Sequence, residues 1–237
     1  MRLLVSVRSA EEVEAAWQGG ADIVDAKEPL TGSLDPVSPG VLRAIRARLP
    51  QDRPLSVALG DVTSWRQLDR RLAELTGQVD YLKPGFRGAD PSVVADLLER
   101  LVSRAADLPG KPAVVAAAYA DFQTAAAPDP ATMVELVCGT GAAGLLIDTC
   151  RKDRGNLFSY LTAAELRLCS NRLAQVGRFL ALGGGLGPLE VDRALEAGAA
   201  ILGVRGSVCE GGRGGIVAMA RVRDLAGRLA TPPVAAG

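Results

Sequence analysis

Lysine is the scarce cation of this chain. Of 27 basic residues only four, Lys27, Lys83, Lys111 and Lys152, are lysine, and the rest are arginine. Arginine keeps its proton near neutral pH, so a chain that fills its surface charge with guanidinium yet retains a lysine points to a use for an amine. Three of the four lie where apolar runs end. Lys27 follows Asp22-Ile-Val-Asp-Ala, Lys83 follows Val79-Asp-Tyr-Leu, and Lys152 comes four residues after Gly144-Leu-Leu-Ile-Asp148. The plain alternative is three scattered surface ion pairs of little energetic value, and the repeated strand-end placement weighs against it. Asp25 and Asp148 occupy the same ends. Several amines in one pocket disfavour each other's charge, so one is driven toward the neutral nucleophilic form while carboxylates hold the others protonated. A neutral buried amine attacks carbonyls to give an imine, and the protonated imine is an electron sink. A neighbouring base can then remove the adjacent carbon's proton and leave an enamine. The chain has no histidine, which excludes a histidine triad, a histidine-ligated metal and a histidine base. A second lysine or Asp148 must therefore be the base.

The elements that position these groups alternate between strand and helix. Leu3–Val7 is a first strand. Ser9 with Glu12 reads as a capping box opening a helix to Trp17, which Gly19-Gly20 closes. Ala21–Ala26 is the second strand, and Pro29–Pro39 is a loop long enough to lie over a site. A helix over Gly40–Leu49 precedes strand three, Pro54–Leu59. Ser64–Leu75 places Trp65, Leu68, Leu72 and Leu75 at the three-and-four spacing of an amphipathic helix. Strand four is Val79–Leu82, and a helix covers Asp90–Asp107. The continuous apolar run Ala113–Ala118 suits a strand buried on both faces. Helices at Pro130–Cys138, Ser159–Val176 and Pro188–Ala197 separate strands at Ala143–Asp148, Arg178–Leu182 and Ala200–Val204. A last helix spans Ile216–Leu229, and residues 230–237 read as a loose tail. Eight strand–helix units predict a (β/α)8 barrel, and 237 residues suit one domain over 1–237.

Composition narrows the function. Only 4% of residues are aromatic against 48% hydrophobic, so the core must come from Leu, Val, Ala and Ile. The 27 acidic residues balance the 27 basic ones and no basic run occurs, which leaves no nucleic-acid footprint. No apolar stretch approaches a membrane span, and Met1–Val7 is too short and strand-like for a signal peptide, so a cytoplasmic location is expected. Cys138, Cys150, Cys169 and Cys209 lack CxxC spacing and read as reduced thiols. Homo-oligomerisation stays open.

In such barrels the loops after strands seven and eight commonly bind phosphate. Here they are Gly183-Gly184-Gly185 and Gly203-Val204-Arg205-Gly206-Ser207. Glycines admit an anion close to the backbone N–H groups, Arg205 has the fork for phosphate oxygens, and a following helix N-terminus adds a favourable field. The residues alone thus read as imine chemistry on a small phosphorylated carbonyl compound.

The same segments resemble the (5-formylfuran-3-yl)methyl phosphate synthase family, which makes the furan precursor of methanofuran. They are Leu3–Val7, Gly19–Pro29 with Gly32-Ser-Leu34, Tyr81-Leu-Lys-Pro-Gly85, Leu146–Asp153 with Leu157-Phe158, and Leu202–Gly206 with Cys209 and Arg213. The resemblance implies a lyase that joins two glyceraldehyde 3-phosphate molecules, with loss of phosphate and water, into 4-(hydroxymethyl)-2-furancarboxaldehyde phosphate, needing no metal or organic cofactor. Carried over, Lys27 matches the Schiff-base lysine, Lys83 the proton acceptor, and Asp148 and Lys152 the further Asp and Lys of the site; Asp25 and the two glycine loops are expected to bind substrate. Ala26, Pro84, Asp35 and the triple glycine depart from the family pattern without removing a reactive group. The alternatives are an aldolase-like or epimerase-like barrel acting on another sugar phosphate, or a barrel that binds a phosphometabolite without turnover.

Overall fold

The computed structural model describes residues 1–230; residues 231–237, which hold all of the expected tail but Ala230, lie outside the described part. Eight parallel strands close into a barrel in sequence order: β1 (Arg2–Val7), β2 (Ile23–Ala26), β3 (Leu55–Asp61), β4 (Tyr81–Gly85), β5 (Ala113–Tyr119), β6 (Gly144–Asp148), β7 (Phe179–Leu182) and β8 (Ile201–Val204). Closure is made by β1 against β8, with Arg2 opposite Ile201 and Val5 opposite Val204. The expected (β/α)8 barrel is the fold observed.

The helices start where local chemistry supplies an oxygen for orphan N–H groups. Ser38 caps α2 after α1 (Val13–Gln18), with α2 running Pro39–Arg48, and Ser64 caps α3 (Trp65–Ala73). Pro91 opens α4 (Pro91–Ala105), where its missing N–H costs nothing. A short α5 (Phe122–Ala125) precedes α6 (Pro130–Gly139), capped by Asp129, then come α7 (Ala163–Ala174), α8 (Val191–Glu196) and α9 (Met219–Ala230). On α3, Leu68 and Leu72 are buried against the sheet, each contributing about 1.5–3 kcal/mol by leaving water.

Several boundaries differ from expectation, each for a visible reason. No capping box forms at Ser9: its side chain makes no cap bond, Ala10–Glu12 is a 3-10 turn, and Glu12 is drawn inward to Arg205. The reciprocal box belongs to Thr162 and Glu165, so α7 starts at Ala163 and Leu157–Ser159 forms a separate 3-10 turn. Ile216–Val217 (β10) pairs antiparallel with Cys209–Glu210 (β9), and this delays α9 to Met219. Pro84 lies inside a barrel strand, where its ring cannot donate to the ladder. The register slips there, between Ala58 and Gly60, and Gly60 at φ +80° takes the left-handed turn the slip requires. The four cysteines are free thiols, with Cys209 buried.

Val5, Val7, Leu55, Leu82 and Ile147 face outward into the core beneath the helices. The barrel interior holds a second cluster containing Ile23, Val115, Leu146, Ala181 and Ile201. Inside the barrel the small residues Ser6, Ser56, Ala181 and Gly203 line a cavity, where larger branched side chains usually pack a barrel shut.

Candidate active site

A cavity of about 450 Å³ opens at the carboxyl end of the barrel, within the range of small-molecule sites. Lys27, Lys83, Asp148, Lys152, Asp25, Gly183, Gly184, Gly185, Gly203, Arg205, Gly206 and Ser207 all line it. Strand alternation explains the convergence: Asp25 and Lys27 are two residues apart in the β2 run, so both face inward. Lys83 on β4 and Asp148 on β6 join them across the mouth.

Two ion pairs frame Lys27. Lys83 Nζ lies 2.6 Å from Asp25 Oδ1 in a buried ion pair. The Ser6 hydroxyl donates to Asp25 Oδ2 at 2.9 Å. On the other side Lys152 Nζ contacts Asp148 Oδ1 and donates to the Thr149 hydroxyl at 3.0 Å, while the Thr149 N–H donates to Asp148 Oδ1 at 2.7 Å. Lys27 is held most loosely, its Nζ 3.9 Å from Asp148 Oδ2 with only 8% of its side chain exposed.

Burial decides the charge state of Lys27. It drives the pKa down from 10.5 to about 8; Asp148 and Asp25 pull it back up, and Lys83 and Lys152 push it down. Burial works against ionised Asp148, but Lys152 and Lys27 with the Thr149 N–H outweigh it and hold its pKa at about 2. Asp25 resists burial likewise, through Lys83, Lys27 and Ser6, and is lowered. Around pH 8 the cavity therefore holds two carboxylates and an amine near half neutral, against roughly 0.3% neutral for an ordinary lysine. In stability terms the unfolded Lys27 binds more protons than the folded one between pH 8 and 10.5, so its contribution to stability rises across that window.

These signs give a testable profile. Borohydride labelling of Lys27 by a carbonyl ligand is expected to rise with pH to a midpoint near 8. Lys152→Met, which removes a like charge, should move the midpoint up, and Asp148→Asn should move it down. Labelling with a midpoint near 10.5 in the parent protein would refute the depressed pKa.

The glycine loops differ from expectation in detail. Gly184 and Gly185 have φ of +90° and +73°, and a Cβ on Gly184 would come within 3.0 Å of the Thr149 nitrogen, so this turn requires glycine. Arg205 is not free to fork onto an anion. Its five N–H groups go to Glu12 Oε1 and Oε2 and to the carbonyls of Ser6, Arg213 and Gly215. The expected helix N-terminus after β7 is a 3-10 turn, Pro188–Glu190, and the Glu190 carboxylate already accepts the Gly187 N–H. The Ser207 hydroxyl donates to the Leu186 carbonyl. Arg213 is not reached by reading the strand ends in the sequence. It lines the cavity, and its Nε and Nη2 donate to the carbonyls of Pro29 and Gly32, leaving Nη1 without a partner among the described residues. Its signal was its setting in Gly211-Gly212-Arg213-Gly214-Gly215. The long loop after β2 is stitched to the rim by these bonds and by the Ser33 hydroxyl, which donates to the carbonyls of Thr149 and Cys150.

Across residues 3–226 the sequence matches the family described as 4-HFC-P synthase. The chain belongs to this family. Its relatives include (5-formylfuran-3-yl)methyl phosphate synthase of Methanobrevibacter smithii, 33% identical over 90% of this chain and 91% of that one. The synthase of the same name from Methanopyrus kandleri is 35% identical over 97% and 99%. Phosphoribosyl anthranilate isomerase from Thermus thermophilus shares the fold, with a TM-score of 0.65 at 18% identity over 97% and 98% of the two chains. For this 4-HFC-P synthase family member, no described helix is long and apolar enough to cross a membrane.

Proposed function

We propose that the protein condenses two molecules of glyceraldehyde 3-phosphate into (5-formylfuran-3-yl)methyl phosphate through an imine on Lys27, supplying the furan of methanofuran. The observation that carries the reading is the amine of Lys27, buried between two carboxylate–ammonium pairs with a pKa near 8. Membership of the family and the names of its relatives support the product.

One triose phosphate isomerises to the ketone, and neutral Lys27 adds to its carbonyl carbon, expelling water as the imine forms. Lys83, having passed its own proton to Asp25, accepts the proton from the carbon beside the aldehyde of the second triose, and phosphate leaves from that triose's terminal carbon. The terminal carbon of the enol so formed bonds to the imine carbon. The free hydroxyl of the first triose closes on the ketone of the second, Lys27 departs as the amine with a proton from the Lys152–Asp148 pair, and dehydration, in which the hydroxymethyl carbon of the first triose gives a proton to Lys83, completes the furan. Summed over two trioses, one phosphate and two waters leave, without net oxidation. Arg213 and the backbone N–H groups of Gly184 and Gly185 are the groups suited to phosphate oxygens.

Incubation with glyceraldehyde 3-phosphate alone is expected to release inorganic phosphate in step with a new furan absorbance. Reversible carbon–carbon cleavage without phosphate release would instead indicate an aldolase.

A further inference from the structure

Ser56 on β3 is fully buried, lines the cavity, and its hydroxyl has no hydrogen-bond partner among the described residues. A buried hydroxyl left unpaired is costly and rare in a folded protein, and apolar side chains normally fill this part of a barrel. Its neighbour across the strand pair is Asp25, which lies between Ser6 on one side and Ser56 on the other. The two serines are used differently: Ser6 donates to Asp25 Oδ2, whereas Ser56 has no bond to it. Asp25 Oδ1 is held by its ion pair with Lys83 at 2.6 Å and takes no further side-chain or backbone donor among the described residues. A hydroxyl with no partner and a carboxylate oxygen with one lone pair left over thus stand side by side on one cavity wall beside the proton acceptor.

We infer that Ser56, with Asp25, binds the hydroxyl on the carbon next to the substrate carbonyl, and so selects α-hydroxy carbonyl compounds over their deoxy analogues. This rests on the imine reading above. The hydroxyl donates to Asp25 Oδ1 and accepts from Ser56, which turns the carbon that carries it toward Lys83, the group that takes its proton. An apolar residue at position 56 would leave room for the ligand but nothing to recognise that oxygen. A site that hydrogen-bonds a substrate hydroxyl rejects the analogue lacking it, because its own buried polar groups are then left unpaired.

The test compares dihydroxyacetone phosphate with hydroxyacetone phosphate, which differs only in lacking that hydroxyl. Borohydride trapping on Lys27 is measured by peptide mass analysis over a range of ligand concentrations. In the parent protein the half-saturating concentration is expected to be about tenfold lower for the hydroxylated ligand. Ser56→Ala should bring the two within about twofold of each other, with a melting temperature equal to or above the parent's, since an unpaired hydroxyl contributes no stability to lose. Ser56→Cys, closer in size, should give the same equalisation and serves if the alanine variant does not fold. Retention of the full preference in either folded variant, or no preference in the parent protein, overturns the assignment while the imine stands. Absence of Lys27 labelling by both ligands in the parent protein overturns the imine reading and this assignment with it.

Discussion

Lys27→Arg is expected to lower kcat/KM by at least about 10³-fold, roughly 4 kcal/mol of transition-state stabilisation, and to abolish borohydride labelling. Arginine retains the positive charge that Asp148 and Asp25 face, so the two carboxylates keep a cation between them and the fold is preserved. It cannot lose its proton near neutral pH, so no lone pair is available to attack a carbonyl. Lys83 and Lys152 do not substitute, since each is committed to its own carboxylate. The comparison separates covalent catalysis from electrostatic grip: a cavity that merely holds phosphate tolerates the exchange with a change in affinity alone. Phosphate release by the variant at more than a few per cent of the parent rate would end the covalent reading.

Glu12→Gln should be the most destabilising of the single substitutions considered, by about 3–5 kcal/mol, because it leaves the Arg205 guanidinium buried without its counter-charge. For a chain of this size that corresponds to a fall in Tm of roughly 6–20 °C. Both side chains of the pair are 2% exposed, and Arg205 also holds the carbonyls of Ser6, Arg213 and Gly215. The pair therefore fastens the loop after β8 to the end of β1, and through Ser6 it steadies Asp25. The double variant Glu12→Leu with Arg205→Met, which removes both charges, should recover much of the lost stability, since replacing both members of a buried pair by apolar groups is often neutral. Equal melting curves for Glu12→Gln and the parent would show that the pair carries no stability.

Some of this was legible in the chain and some was not. The barrel could be read because the alternation of apolar strands with amphipathic helices is a local property, repeated eight times. Lys27, Lys83 and Asp148 could be found because a residue that ends a barrel strand reaches the same face wherever it lies in the chain. Arg205 shows where such reading stops. Beside glycines after strand eight it looks like a phosphate ligand, yet its partner is Glu12, 193 positions away, which the same reading had assigned to a capping box. The Glu12 carboxylate serves both a local and a distant partner, accepting the Arg8 N–H at 2.8 Å while it takes the bidentate Arg205 guanidinium, and the box is left incomplete because the Ser9 side chain makes no cap bond. Ser56 left no mark at all, since a serine within an apolar run is unremarkable until the cavity beside it is seen.

By itself, then, the order of residues determined the repeating architecture, the supply of amines in place of histidines, and the end of the barrel at which they gather, all of which follow from periodicity and from residue type. Only the folded chain decided which carboxylate each amine faces, that Lys27 rather than Lys83 or Lys152 is the loosely held one, and that Arg205 braces the barrel while Arg213 borders the cavity. Those outcomes depend on the register in which β1 closes on β8 and on how deeply each group is removed from water. Neither quantity is encoded within any short stretch of sequence, because both arise from residues brought together across the whole barrel.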